Sequence, residues 1–224
     1  MKREKKLGQA TRDAYGQALV ELGKADQRVV AVDADLSKST KSGLFAKAFP
    51  DRFFNCGIAE ANMVSVAAGL ASCGKVPFAS SFASFLLCKG FDQLRMSVAN
   101  PSLNVKIVGS HGGISLGEDG ASQQSVEDFA LACALPKFTV ISPSDEISCK
   151  ALVKRAGESV GPVYLRTGRP KAPLIYAPSD SFQLGIAKKV APGDDVTIVA
   201  NGLLVWEALV ASDLLRARGV SAAV

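Results

Sequence analysis

Short runs of apolar and β-branched residues recur along the chain, separated by longer segments in which apolar side chains return every three or four positions. RVVAVDAD, PFASSFA, NVKIVGS, FTVISP and PVYLRTG are the short runs. Each is bounded by turn or loop residues and predicts a buried strand. TRDAYGQALVEL sets Tyr15, Ala18, Leu19 and Leu22 on one stripe and predicts an amphipathic helix. SPSDEISCKALVKRAGES predicts another, with Ser142 or Ser144 as its cap, Asp145 and Glu146 at its positive end, and Lys and Arg later. Strand alternating with helix implies an α/β fold, a parallel sheet flanked by helices.

The same pattern divides the chain. Residues 1–8, containing MKREKK, form a basic head expected to be disordered. Residues 9–169 hold the alternating strands and helices, and 170–182, with prolines at 170, 173 and 178, are expected to be a linker. Residues 183–224 carry FQLGIAKKV, DVTIVAN, the helix LVWEALVASDLLRARG and VSAAV, the start of a second α/β domain. So short a unit cannot cover both faces of its own sheet, so a truncated product or a covering partner is expected.

Composition narrows the function classes. With 48% hydrophobic and 21% charged residues the chain is an ordinary globular protein. Of its net charge of +5, MKREKK supplies +3, so the body is nearly balanced. Without interleaved aromatics or a basic stripe, the head does not read as a nucleic-acid arm. The longest uncharged stretches, 13 to 14 residues, are too short and too polar to span a bilayer. Neither nucleic acid nor membrane is an expected partner, and the expected compartment is the cytoplasm. The five cysteines, at 56, 73, 88, 133 and 149, form no CxxC and have no His at metal spacing, so buried free thiols are expected.

Candidate chemistry sits after strand ends, where open parallel sheets place ligands. DADLSKST offers Asp33, Asp35, Ser37 and Ser39, as a turn or as a site. HGGISLGEDGASQQSVED holds the single histidine, His111, with Glu118, Asp119 and Gln123, and loops of that length tend to be functional. Arg166 follows PVYL and suits an anionic ligand or a salt bridge. In SSFASFLLCKGFDQLR, Phe82 and Phe85 are core residues or a platform for a flat ring. In NCGIAEANMVSVAAGLA, Glu60 is the only charged residue between Arg52 and Lys75. Either it opens a helix whose dipole favours an anion, or its apolar surround prepares it to share a proton with a basic ring nitrogen.

In the order ATR, DADLSKS, GIAEANM, SFASF, HGGISLGEDG and YLR, from about Ala10 to Arg169, the chain resembles the pyrimidine-binding domain of transketolase and its thiamine-diphosphate relatives. The resemblance implies that Glu60 hydrogen-bonds the aminopyrimidine nitrogen of thiamine diphosphate, favouring the imino form that generates the ylid. It puts Phe82, Phe85 and Asp35 around the cofactor and Asp119 on substrate hydroxyls. Arg12, Ser39, His111 and Arg166 fall where the family binds a sugar phosphate, and Glu60 and His111 are the catalytic pair. Gln123 stands where a substrate-contacting histidine is usual, and Cys88 where a tyrosine is common. No GDG followed by Asn occurs, the means by which the family holds Mg2+ and diphosphate. The resemblance therefore implies a split enzyme, completed by an N-terminal-type transketolase subunit in a homo-oligomer or heterotetramer. Its expected reaction is transfer of a two-carbon ketol unit between sugar phosphates. Alternatives are a deoxyxylulose-phosphate synthase, a 2-oxo-acid dehydrogenase β subunit, or a non-catalytic assembly subunit.

Overall fold

The structure, a computed structural model, describes residues 3–224. β1 (Leu7–Ala10) leads into α1 (Thr11–Ala25), followed by β2 (Val29–Asp33), the short α2 (Ser37–Thr40) and α3 (Gly43–Ala48), and β3 (Phe53–Asn55). Next come α4 (Glu60–Ser72), β4 (Val76–Phe82) and a helical arm. The arm places π-helical turns, Phe85–Lys89 and Leu94–Ala99, on either side of α5 (Phe91–Gln93). β5 (Lys106–Ser110), α6 (Asp128–Ala134), β6 (Thr139–Ile141), α7 (Glu146–Glu158) and β7 (Val163–Arg166) complete the main body. β8 (Lys171–Pro173), β9 (Val196–Thr197), α8 (Leu204–Arg216) and β10 (Ala222–Ala223) follow.

Six strands form one parallel sheet in the order β3-β2-β4-β5-β7-β6. Every residue of β2, β4 and β5 is buried, which is why these strands read as continuous apolar runs. Successive side chains alternate between two cores. Val32, Ala79 and Ile107 pack with α4, the arm and α6, whereas Ala31, Phe78 and Val108 pack with α1 and α7. Tyr15 of α1 is fully buried, and its hydroxyl meets Ser80 Oγ at 2.7 Å, which satisfies its polar tip.

The chain steps from β2 outward to β3 and returns to β4 on the other side of β2. That reversal marks the carboxyl ends of β2 and β4 as the switch point where such sheets bind ligands. The loops after β2, β4, β5 and β7 all reach this edge.

Several expectations are corrected here. Asp145, not Ser142 or Ser144, caps α7: its Oδ1 accepts from Ser148 N at 2.8 Å, and Ser148 Oγ accepts from Asp145 N at 3.0 Å. A carboxylate has oxygens to spare, and Asp145 Oδ2 also accepts from the amides of Ile175 and Tyr176. Within the head, residues 1 and 2 lie outside the described residues, but Leu7 already pairs antiparallel with Pro173 of β8, inside the expected linker. Each strand supplies the other's backbone partners, and Leu174 N donates to Lys6 O at 2.8 Å. FQLGIAKKV forms no strand, and the second unit consists of the β9–β10 parallel pair beside α8. Of the five free thiols Cys149 is buried and Cys56 partly buried, while Cys73, Cys88 and Cys133 are exposed. Among the described residues no helix is long and apolar enough to cross a membrane.

Candidate functional site

Glu60 is the first residue of α4 and only 3% exposed. Ala59 before it offers no side-chain cap, so the carboxylate stands at a helix start rich in unpaired N–H groups. It is not alone. Lys89 Nζ lies 3.3 Å from Glu60 Oε2, across a half-exposed lysine side chain, and 4.5 Å from the centroid of the Phe85 ring. The sequence reading left Glu60 without a charged partner because the lysine is 29 residues away, delivered by the arm.

Phe82 ends β4 and stacks on Phe85 at 5.6 Å and on the His111 ring at 4.0 Å. His111 is buried, with φ +62°. Its Nε2 lies 3.1 Å from Arg12 Nη1 and its Nδ1 2.8 Å from Ser110 Oγ. A guanidinium only donates, so Nε2 accepts, and the ring proton resides on Nδ1, which donates to Ser110. Burial, reinforced by the charge of Arg12, pushes the His111 pKa down to about 4. The ring is neutral at pH 7, and both nitrogens are engaged within the chain.

Arg12 Nη1 also donates to the backbone carbonyl of Ser39 at 3.2 Å, and Arg12 Nε is buried without a partner. Ser39 therefore meets the arginine through its main chain. The loop that carries it is built on Asp33, whose buried carboxylate accepts from Leu36 N, Thr40 Oγ1 and Ser42 Oγ at 2.6, 2.9 and 2.8 Å. Burial nevertheless raises the Asp33 pKa. Asp35, at φ +62°, is exposed beside Asn55, whose Nδ2 donates to Asp35 Oδ1 at 3.2 Å.

Two arginines after β7 behave differently. Arg166 Nε lies 2.9 Å from Oδ2 of the fully buried Asp128, and its Nη2 donates to Ser125 O at 2.9 Å. Tyr164 Oη donates to the same Asp128 oxygen at 2.6 Å. A Cβ on Gly112 would stand 2.0 Å from Arg166 Nε, so only glycine fits there. Arg166 thus anchors the glycine-rich loop, and its charge is already compensated. Arg169 pairs with Glu118 and, at 3.5 Å, with Asp119. Its charge acts on both Arg12 and His111. The sequence reading passed over Arg169, although TGR places a second cation beyond the same strand end.

Gln123 takes a hydrogen bond from Ser122 on its side chain and, at 3.4 Å, from Ser84 on its carbonyl, tying the loop to the aromatic arm. Cys88 Sγ donates to Glu127 at 3.1 Å, and burial first, then Glu127, pushes its pKa up to about 11. The structure therefore joins Arg12, Ser39, Phe82, Phe85 and His111 into one contiguous group. Glu60 adjoins it through Lys89, while Asp35 and Arg166 sit apart with partners of their own. Cavities of about 450 and 310 Å³ lie where the second unit meets the main sheet, and neither is lined by Glu60, Phe82 or Phe85. Among the described residues no group of three or more His, Cys, Asp or Glu could hold a metal ion.

Residues 8–173 match the family of the transketolase pyrimidine binding domain. A putative transketolase C-terminal section from Methanocaldococcus jannaschii is 47% identical over 213 residues, covering 94% of this chain and 67% of its own length. Human transketolase is 45% identical over 210 residues, covering 92% of this chain and 33% of its own length. Among solved structures, a split gene transketolase in an inactive beta4 tetramer is similar at TM-score 0.88 and 49% identity, covering 96% of this chain and 70% of that one. The Campylobacter jejuni transketolase, also at TM-score 0.88 but 24% identical, covers 98% of this chain and 35% of its own and shares the fold. The chain thus spans about two thirds of the archaeal relative and a third of the human one.

Proposed function

We propose, from the premise that this chain belongs to the transketolase family, that it is the ring-binding half of a split transketolase moving a two-carbon ketol unit between sugar phosphates. Membership implies thiamine diphosphate as cofactor. The observation that carries the reading is the pairing of a buried carboxylate with a phenyl platform: Glu60 is 3% exposed, and Phe82 stacks on Phe85, whose ring centroid lies 4.5 Å from Nζ of Lys89, the partner of Glu60. This acceptor and its phenyl platform fit an aminopyrimidine, whose imino or protonated form offers a ring N–H to a carboxylate and a flat face to phenyl rings.

When bound, the cofactor supplies an acidic thiazolium carbon that receives the two-carbon unit. The residues of this chain orient it and manage protons. Glu60 accepts the ring-nitrogen N–H at its carboxylate and holds the aminopyrimidine in its proton-accepting form. Phe82 and Phe85 cover the ring and exclude water, with Asp35 just past the carboxyl end of β2. Arg12 and Arg169, with Ser39 and His111 beside them, form the cationic end that takes a phosphate. Neutral His111 offers no second positive charge there and steadies Arg12 through Nε2. Asp119 receives substrate hydroxyls once it leaves Arg169, and Gln123 contributes a hydrogen-bonding amide but no proton. Arg166, expected at the phosphate, acts instead through the loop it anchors.

The diphosphate and Mg2+ are assigned to a partner of the N-terminal type, a reading supported by the lack, among the described residues, of any group of three or more His, Cys, Asp or Glu that could hold the metal. A split-gene relative that forms an inactive tetramer supports the view that this chain assembles with itself but is inert without that partner. Its free thiols suit a reducing cytoplasm. Reconstitution tests the proposal. Ketol transfer from xylulose phosphate is expected only when this chain, the partner, thiamine diphosphate and magnesium are mixed. Transfer by this chain alone, or turnover of pyruvate in preference to xylulose phosphate, contradicts it.

A further inference from the structure

Lys89 has no part in the roles assigned above, yet its ammonium touches both elements of the ring site. Nζ lies 3.3 Å from Glu60 Oε2 and 4.5 Å from the Phe85 centroid. The Glu60 side chain is 3% exposed and that of Lys89 52%, so the lysine closes the carboxylate from the solvent side. Two backbone features deliver it. Lys89 ends the π-helical turn Phe85–Lys89, a local widening common at functional sites. Gly90 lets the arm press onto α4: a Cβ there would stand 2.7 Å from Leu86 O and 3.2 Å from Val64 Cγ2.

A protonated aminopyrimidine presents what this ammonium presents, an N–H donor for the carboxylate and positive charge beside a phenyl ring. We propose that Lys89 is a place-holder: it occupies Glu60 and Phe85 in the free chain and leaves them when the cofactor ring enters. The inference rests on the reading of Glu60 as the ring-nitrogen partner. It explains how the buried carboxylate is kept compensated before assembly, since an unpaired buried charge is strongly destabilising. It also explains why the compensating group is a flexible, half-exposed lysine, whose ion pair is weak enough to give way.

The test measures thiamine diphosphate affinity, by calorimetry, in the assembled two-chain enzyme with Mg2+. Lys89→Met and Lys89→Gln are expected to bind the cofactor roughly two- to fivefold tighter than wild type, because the competing pair is gone. Lys89→Arg, which keeps the competitor, is expected to stay near wild type. In parallel, the 15N signal of Lys89 Nζ is expected to shift on cofactor addition to the position it takes in a Glu60→Gln chain. Unchanged or weaker binding by Lys89→Met and Lys89→Gln overturns the place-holder. If Glu60→Gln still weakens binding in that case, the ring-nitrogen reading survives. Equal affinity of Glu60→Gln and wild type overturns both.

Discussion

Asp33 and Glu60 are both buried carboxylates at the carboxyl edge of the same sheet, yet they are completed in opposite ways. Asp33 accepts from a backbone amide and two hydroxyls of its own loop, at 2.6 to 2.9 Å. Glu60 has one side-chain donor, at 3.3 Å, on a lysine that is half in water. A carboxylate saturated by its own loop is scaffold, whereas one held by a removable cation is open to a ligand. The cations repeat the contrast. Arg166 is locked to buried Asp128, and Arg169 pairs with exposed Glu118 and Asp119 beside Arg12.

The contrast breaks if scaffold and site residues fail in the same way. The largest stability loss is expected for Arg166→Met, about 3–5 kcal/mol in urea denaturation of this chain, because Asp128 would be left buried and uncompensated. Asp33→Ala follows at about 2–3 kcal/mol, with the Leu36, Thr40 and Ser42 donors stranded. Arg169→Met should leave the denaturation midpoint almost unmoved. In the assembled enzyme it should lower kcat/KM for a ketose phosphate by about ten- to a hundredfold, as for one charged contact, and barely change that for the unphosphorylated ketose. A large stability loss from Arg169→Met, or a purely kinetic effect from Arg166→Met, reverses their assignment.

The smallest effect is a pH dependence. His111 binds its proton only near pH 4 when folded and near 6.5 when unfolded. As pH falls below 6.5 the unfolded chain therefore takes up the proton first, and stability drops until about pH 4. Between pH 7 and 5.5 the loss should be up to about 1 kcal/mol, and His111→Gln should flatten the profile over that interval. An unchanged slope would mean that Nε2 is free to titrate.

The parallel sheet was legible because strands buried on both faces leave continuous apolar runs, and α1 because Tyr15 and Leu19 recur on one stripe. The edge strand Phe53–Asn55 was not, since one partly buried and two exposed residues carry no periodicity. Glu60 stood out as one acid in an oily segment. Its partner Lys89 did not, because a π-helical turn and Gly90, rather than any local spacing, bring the two together. Likewise the sequence shows two arginines after PVYL without saying which one faces Asp128, which depends on how the glycine-rich loop folds back through Ser125. Asp145 is the cap itself through a local pair with Ser148, three residues on, whereas its grip on residues 175 and 176 is a tertiary contact that leaves no trace in the local sequence.

That Glu60 is completed by the cofactor's ring nitrogen is tested most directly by the rate at which the thiazolium proton exchanges with deuterium in the assembled two-chain enzyme. Glu60→Gln is expected to slow that exchange by about 10²- to 10⁴-fold while the unfolding midpoint of this chain stays near wild type. Exchange at the wild-type rate in Glu60→Gln would contradict it.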